Sequence, residues 1–185
     1  ISGAIETLVP ASEELVSRGI HEEFIRLAAE IMSRTDWSDS PWVGEEGFCQ
    51  LIRDVTHTMV EIGQGAEARH CLDLYSRSVP SGTAQYVGLC DLWTYVEWFE
   101  KNHEKAIEWG KRGVGLKKTS GLDTAYDCSH NLALAQRDLG LVDEALKYFC
   151  FGQDIESITK DDHLTSKRDG SFYGNIGRCL HFKGD

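Results

Sequence analysis

Positive charge is scarce in this 185-residue chain: 19 Lys and Arg stand against 30 Asp and Glu, a formal net charge of −11. Nucleic-acid binding through phosphates needs clustered cations, so this balance argues against it. The same balance argues against docking on an anionic membrane surface. No apolar run approaches the ~20 residues that cross a bilayer. The first ten residues lack a basic start and a long apolar middle, so they do not read as a signal peptide. There is no Asn-x-Ser/Thr sequon, since Asn102, Asn131 and Asn175 all lack one. There is also no Cys-x-x-Cys pair, which removes the usual zinc-ribbon and thioredoxin spacings. Prolines number only three. Apolar residues make up 41 %, enough for a core, which excludes global disorder.

What is present is a helical rhythm. Phe48, Leu51, Ile52, Val55, Met59 and Ile62 recur at i, i+3, i+4 and i+7. Leu89, Leu92, Trp93, Val96 and Phe99 do the same, as do Cys128, Leu132, Ala135 and Leu139. Period-2 alternation is not sustained, so an all-α fold follows. Pro10, Pro41 and Pro80 fall between these stretches and are expected to mark helix breaks. The six cysteines (49, 71, 90, 128, 150 and 179) sit among apolar neighbours. They read as buried free thiols of a reducing cytoplasm. The shared spacing of Cys49/Cys71 and Cys128/Cys150 leaves disulfides between facing helices conceivable.

The rhythm repeats. From Asn131 a helix runs to Gly140; Asp143 and Glu144 then open a second, with Ala145 and, four positions on, Phe149. Acidic residues suit a helix N-terminus. Gly63 leads to Ala68 and Leu72 in the same way, and Lys101 leads to Ala106 and Gly110. Gly19 leads more weakly to Phe24 and Ala28, and the stretch from Asn175 repeats the first half up to Gly184. The turn positions 19, 63, 101, 140 and 184 are spaced by 44, 38, 39 and 44 residues.

With small residues at Ala68, Ala106, Ala133, Ala145 and Gly177 and turn glycines at 63, 140 and 184, the pattern resembles the tetratricopeptide repeat family. The resemblance covers about residues 48–185 well and 12–34 loosely. Lys101 departs from the turn glycine, and Gly110 from the large residue of a second helix. The spacing exceeds the usual ~34 residues, as in arrays of the kinesin-light-chain type. The resemblance implies an α-solenoid of stacked antiparallel hairpins, a tetratricopeptide-like superhelix, at about 5–35, 47–79, 87–119, 126–159 and a partial unit at 171–185. Because the pattern breaks off at a turn, the chain is expected to be a fragment of a longer protein. Its helix at 171–183 (Tyr173, Ile176, Leu180, Phe182) would then lack a partner, an expected point of self-association.

Chemical motifs are thin. Gly110-Lys-Arg-Gly113-Val-Gly115-Leu-Lys117-Lys118-Thr119 faintly resembles a phosphate loop, but a leucine interrupts the Gly-Lys-Ser/Thr run and the segment closes a helix. Ser157 and Lys160 have the Ser-x-x-Lys spacing without its companion motifs. The seven histidines show no His-Glu-x-x-His pattern, and His57 with Glu61 reads as an i,i+4 pair rather than a metal site. No nucleophile, base and orienting group combine, so the segment reads as non-enzymatic, with no cofactor and no metal.

The resemblance instead implies a concave groove lined by first helices. Candidate peptide-binding residues are Arg53, His57, Tyr95, Trp98, His130, Asn131, Arg137, Asn175 and Arg178. Asn131 and Asn175 share a repeat position, and an amide there can both donate to and accept from a peptide backbone. Bonding of these asparagines to the neighbouring hairpin is the alternative reading. The arginines suit carboxylates, and Tyr95 and Trp98 an apolar anchor. The expected function is a cytoplasmic scaffold for a protein or peptide partner, with no nucleic acid and no membrane. The alternative is a sensor or regulatory array within a multidomain signalling ATPase, protease or transcription regulator.

Overall fold

The computed structural model describes residues 2–37, 46–121, 126–150 and 170–184. Among the described residues every regular element is a helix: α1 (Ser2–Ser17), α2 (His21–Ser33), α3 (Glu46–Glu61), α4 (Gly65–Ser76), α5 (Ala84–Phe99), α6 (His103–Ser120), α7 (Ser129–Asp138), α8 (Val142–Phe149) and α9 (Gly170–Lys183). Consecutive helices pair as hairpins, and the first helices α1, α3, α5 and α7 touch in series. The outcome is an all-α solenoid. Pro41, the Ser157/Lys160 pair and the end of the fourth expected hairpin lie outside the described residues.

The hairpin turns share one backbone device. At Gly19, Gly63, Lys101 and Gly140 the chain takes a positive φ of 73°, 82°, 65° and 84°. In each case that residue's N–H donates to the carbonyl three residues back, and the next N–H to the carbonyl five residues further back than itself. At the second turn these are Gly63 N to Val60 O and Gln64 N to Met59 O. This is the Schellman arrangement, which uses up the last carbonyls of the first helix and opens the second at once. Lys101 adopts the left-handed conformation without being glycine, which costs roughly 1–2 kcal/mol.

Ala68, Ala106 and Ala145, each five residues past its turn, are fully buried. There the absence of a larger side chain lets the two rods approach. Leu72 and Phe149, four residues on, fill the wider space beyond. In the first hairpin the two sizes are exchanged: Phe24 is fully buried five residues past the turn, and Ala28 four later. The third unit has Gly110 in place of the large residue. A Cβ there would lie 2.8 Å from the Leu132 Cβ, so α6 and α7 meet almost backbone to side chain. Gly113 is tighter still, since a Cβ would fall on the Cys128 sulfur.

Two expectations are corrected. Pro10 does not break a helix; it lies inside α1. Packing of Leu8 into the main core and the Ser12 bond to α3 hold the rod through the lost hydrogen bond. Gly177 is not a seam residue. It is exposed, with no atom within 4 Å of a Cβ built on it, because the described residues hold no helix on that side of α9. Among the described side chains of α9, Ile176 and Cys179 are buried against the fourth hairpin, and Leu180 packs beside them.

All six cysteines are free and buried. Cys49 Sγ lies 2.7 Å from the Tyr75 hydroxyl, and Cys71 Sγ 3.4 Å from Met32 Sδ. Neither spacing-related pair is bridged. Burial pushes the Cys71 and Cys90 thiols up to about 12, which keeps them protonated and inert.

Candidate functional site

The first helices carry a polar side chain nine or ten residues before each turn: Asp54, Asp91, Asn131 and Asn175. Helical geometry returns these positions to one face of every hairpin. Each is bonded to an adjoining hairpin. Ser12 Oγ donates to Asp54 at 2.5 Å, and Arg53 to Asp91 at 3.1 Å. Asn131 Nδ2 donates to the other Asp91 oxygen at 2.8 Å, and Arg137 Nη1 to Asn175 Oδ1 at 2.5 Å. Trp98 Nε1 adds a bond to Asp138 at 2.8 Å. The sequence separations of these bonds run from 38 to 42 residues, close to the repeat period. They form a polar ladder along the stack.

The candidate residues therefore divide into two kinds. Arg53, Tyr95, Trp98, Asn131, Arg137 and Asn175 are brought together and bonded or packed between hairpins. For the two asparagines, the hydrogen bond to the neighbouring hairpin is what the structure shows. His57 joins them by stacking on Tyr95, with ring centroids 3.7 Å apart. His130 and Arg178 are exposed, and His130 meets Phe149 of α8 edge to face. Arg137 is only 5 % exposed, less open than a free peptide-binding arginine would be. Arg53 keeps 40 % of its side chain in solvent.

The electrostatics follow from burial. Burial pushes the Asp91 carboxyl up to about 6, against the Asn131 hydrogen bond and the Arg53 charge. His57 is pushed down to about 4, first by burial and then by the Arg53 charge. Burial also raises Asp138, but its bonds from Trp98 and Arg137 outweigh it and hold the carboxyl below the usual range. Beside Asp91 lies a cavity of about 10 Å³ lined by Gln50, Arg53, Gln85 and Tyr126, room for one water.

The nucleotide reading of Gly110–Thr119 does not fit the structure. The segment is helix α6 throughout, with Gly113 pressed against Cys128, so no loop is there to cradle a phosphate. The sequence reading also overlooked one joint. Arg69 of α4 makes two bonds to Glu97 of α5, at 2.9 and 3.1 Å, and a third to Glu100 at 3.4 Å. It joins a second helix to the next first helix, so no repeat-position match signals it.

No protein-family model and no curated protein matches the sequence. The crystal structure of MamA protein does match in shape: TM-score 0.55, 14 % identity, covering all of this chain and 85 % of that one. MamA is a tetratricopeptide-type α-solenoid. The chain has that fold. No described helix is long and apolar enough to cross a membrane.

Proposed function

We propose that this chain is a protein-interaction module that holds a partner segment along its first-helix face. The observation that carries the reading is the row of half-buried polar and aromatic side chains from Arg53 through Tyr95, Trp98 and Asn131 to Asn175. The row is fixed in register by bonds between hairpins. Such a surface is preorganised, so little side-chain entropy is lost when a partner lies on it. The Arg53 guanidinium, part in solvent, has donors left for a partner carboxylate or carbonyl.

Replacing Asn131 is a poor test, because it strips a hydrogen bond from buried Asp91. Exposed residues of the same helices serve better. A peptide selected from a displayed library for binding the chain should lose about tenfold in affinity with Arg178→Glu combined with His130→Ala, both exposed. Unchanged affinity, with the fold intact by circular dichroism, removes the groove reading. For self-association through α9, the exposed large apolar side chains among the described residues are Tyr173 at 36 % and Phe182 at 64 %. Solution mass should then fall to that of one chain with Phe182→Asp.

A further inference from the structure

The large exposed apolar side chains are not scattered. Among the described residues they are Ile20, Ile62, Phe99, Leu139, Leu141, Tyr173 and Phe182. All but Tyr173 lie within two residues of a hairpin turn. Parallel first helices place those turns along one edge of the stack, so these side chains form a row of apolar beads, at least one for each hairpin. Schellman geometry accounts for an apolar residue just past the turn, as at Ile20 and Leu141. It does not account for Ile62, Phe99 or Leu139.

The same edge is acidic. Every described second helix opens with an acid in its first turn: Glu22 and Glu23, Glu67, Glu104, and Asp143 and Glu144. Asp143 is bridged by Lys183 and Glu23 by Arg26. Glu22, Glu67, Glu104 and Glu144 have no ion pair among the described residues. Lys101 and Lys105 dilute the negative field at the third turn, while at the first turn Arg18 and Arg26 are taken up by Glu14 and Glu23 and Glu22 is left without a bridge. Between the first two turns lies a cleft of about 770 Å³, lined by Ile20, His21, Glu22, Glu23, Ile62 and Gln64. Its walls are apolar at the two isoleucines and anionic at the two glutamates.

We propose that this turn edge, anchored at the cleft between the first two hairpins, docks a basic peptide segment of a partner protein. An aliphatic side chain of the segment would sit between Ile20 and Ile62, with Lys or Arg beside it facing Glu22 and competing with Arg26 for Glu23. Charge complementarity selects this occupant: an acidic segment would meet the glutamates, and a purely polar one would leave the isoleucines in water. The proposal goes beyond the groove reading and uses none of its residues.

The test uses fluorescence polarisation of labelled peptides against the whole chain. An alternating Lys/Leu peptide should bind, and Glu/Leu and Lys/Ser peptides of equal length should bind at least about tenfold more weakly. Ile20→Ser with Ile62→Ser, and separately Glu22→Gln with Glu23→Gln, should each weaken the Lys/Leu peptide about tenfold. Glu30→Gln with Asp73→Asn, at the far ends of α2 and α4, should change it less than about twofold. Glu22, Glu23, Glu30 and Asp73 are surface acids and the two isoleucines are exposed, and folding is checked by thermal melting of each variant. Equal binding of the Lys/Ser peptide, or equal loss in the far variant, would mean non-specific attraction to an acidic protein and would overturn the proposal. So would an unchanged affinity in the cleft variants. His130→Ala with Arg178→Glu should leave this binding intact, so the groove and the edge fail separately.

Discussion

The first-helix face and the turn edge run side by side along the same stack and use their side chains in opposite ways. On the face, Asp91 is bonded by Arg53 and Asn131, Asp138 by Trp98, and Asn175 by Arg137. On the edge, Ile62, Phe99 and Leu139 are exposed, and Glu22, Glu67, Glu104 and Glu144 have no ion pair among the described residues. Polar residues that look like ligands in the sequence are thus already occupied in holding the hairpins together. Apolar residues that look like core in the sequence are left outside. A repeat protein needs bonds between its units, since stability is a sum of unit and interface terms.

The contrast can be broken most forcefully at a joint. Arg69→Ala removes three hydrogen bonds and leaves Glu97, only 4 % exposed as a side chain, with Asn102 as its remaining donor. Unfolding free energy from urea titration should fall by roughly 3–5 kcal/mol, the cost of stranding a buried charge. Ile62→Ser on the edge should stay within about 0.5 kcal/mol of the parent. Equal losses at both places would erase the distinction between a bonded face and an idle edge.

A second prediction is smaller and concerns pH. The His57 pKa falls from 6.5 to about 4 on folding, so the unfolded chain binds the extra proton between those values. Its contribution to stability is present above 6.5 and lost as pH falls toward 4. Asp91 rises from 3.8 to about 6, so there the folded chain binds the extra proton. Its contribution is present below 3.8 and lost as pH rises through 6. The two oppose each other across the same window. Relative to the parent, His57→Gln should therefore gain stability as pH drops from 6 to 4, and Asp91→Asn should lose it. Urea midpoints measured at several pH values in that range check both signs.

The smallest effect is expected at the third turn. Lys101→Gly relieves the left-handed strain but adds freedom to the unfolded chain. The net gain should be below about 1 kcal/mol, seen as a modest rise in melting temperature. A matching Gly140→Lys change should lower it, since Gly140 sits at φ 84°.

Much of the architecture could be read directly from residue order. The five turn positions were marked by glycine or by their spacing, and Gly184 also carries a positive φ of 84°. The alanine seams at 68, 106, 133 and 145 were marked by size. The first hairpin was only faintly legible because Phe24 and Ala28 exchange the usual small and large positions. Pro10 misled, because tertiary packing overrode a local preference. Gly177 misled for a related reason: a small residue signals a close approach only where a second rod is present. The candidate site was legible as a set of positions but not as a set of free groups. Nothing local in the sequence states that Asn131 will find Asp91 forty residues away, or that Arg69 will find Glu97.

The six enclosed sulfhydryls have a practical consequence. With every native thiol shielded, a single cysteine introduced at an exposed position such as Glu104 or Lys118 would be the preferred target for a maleimide dye. A pair of such labels at opposite ends of the array would report its extension by energy transfer without first stripping the natural sulfurs from the interior.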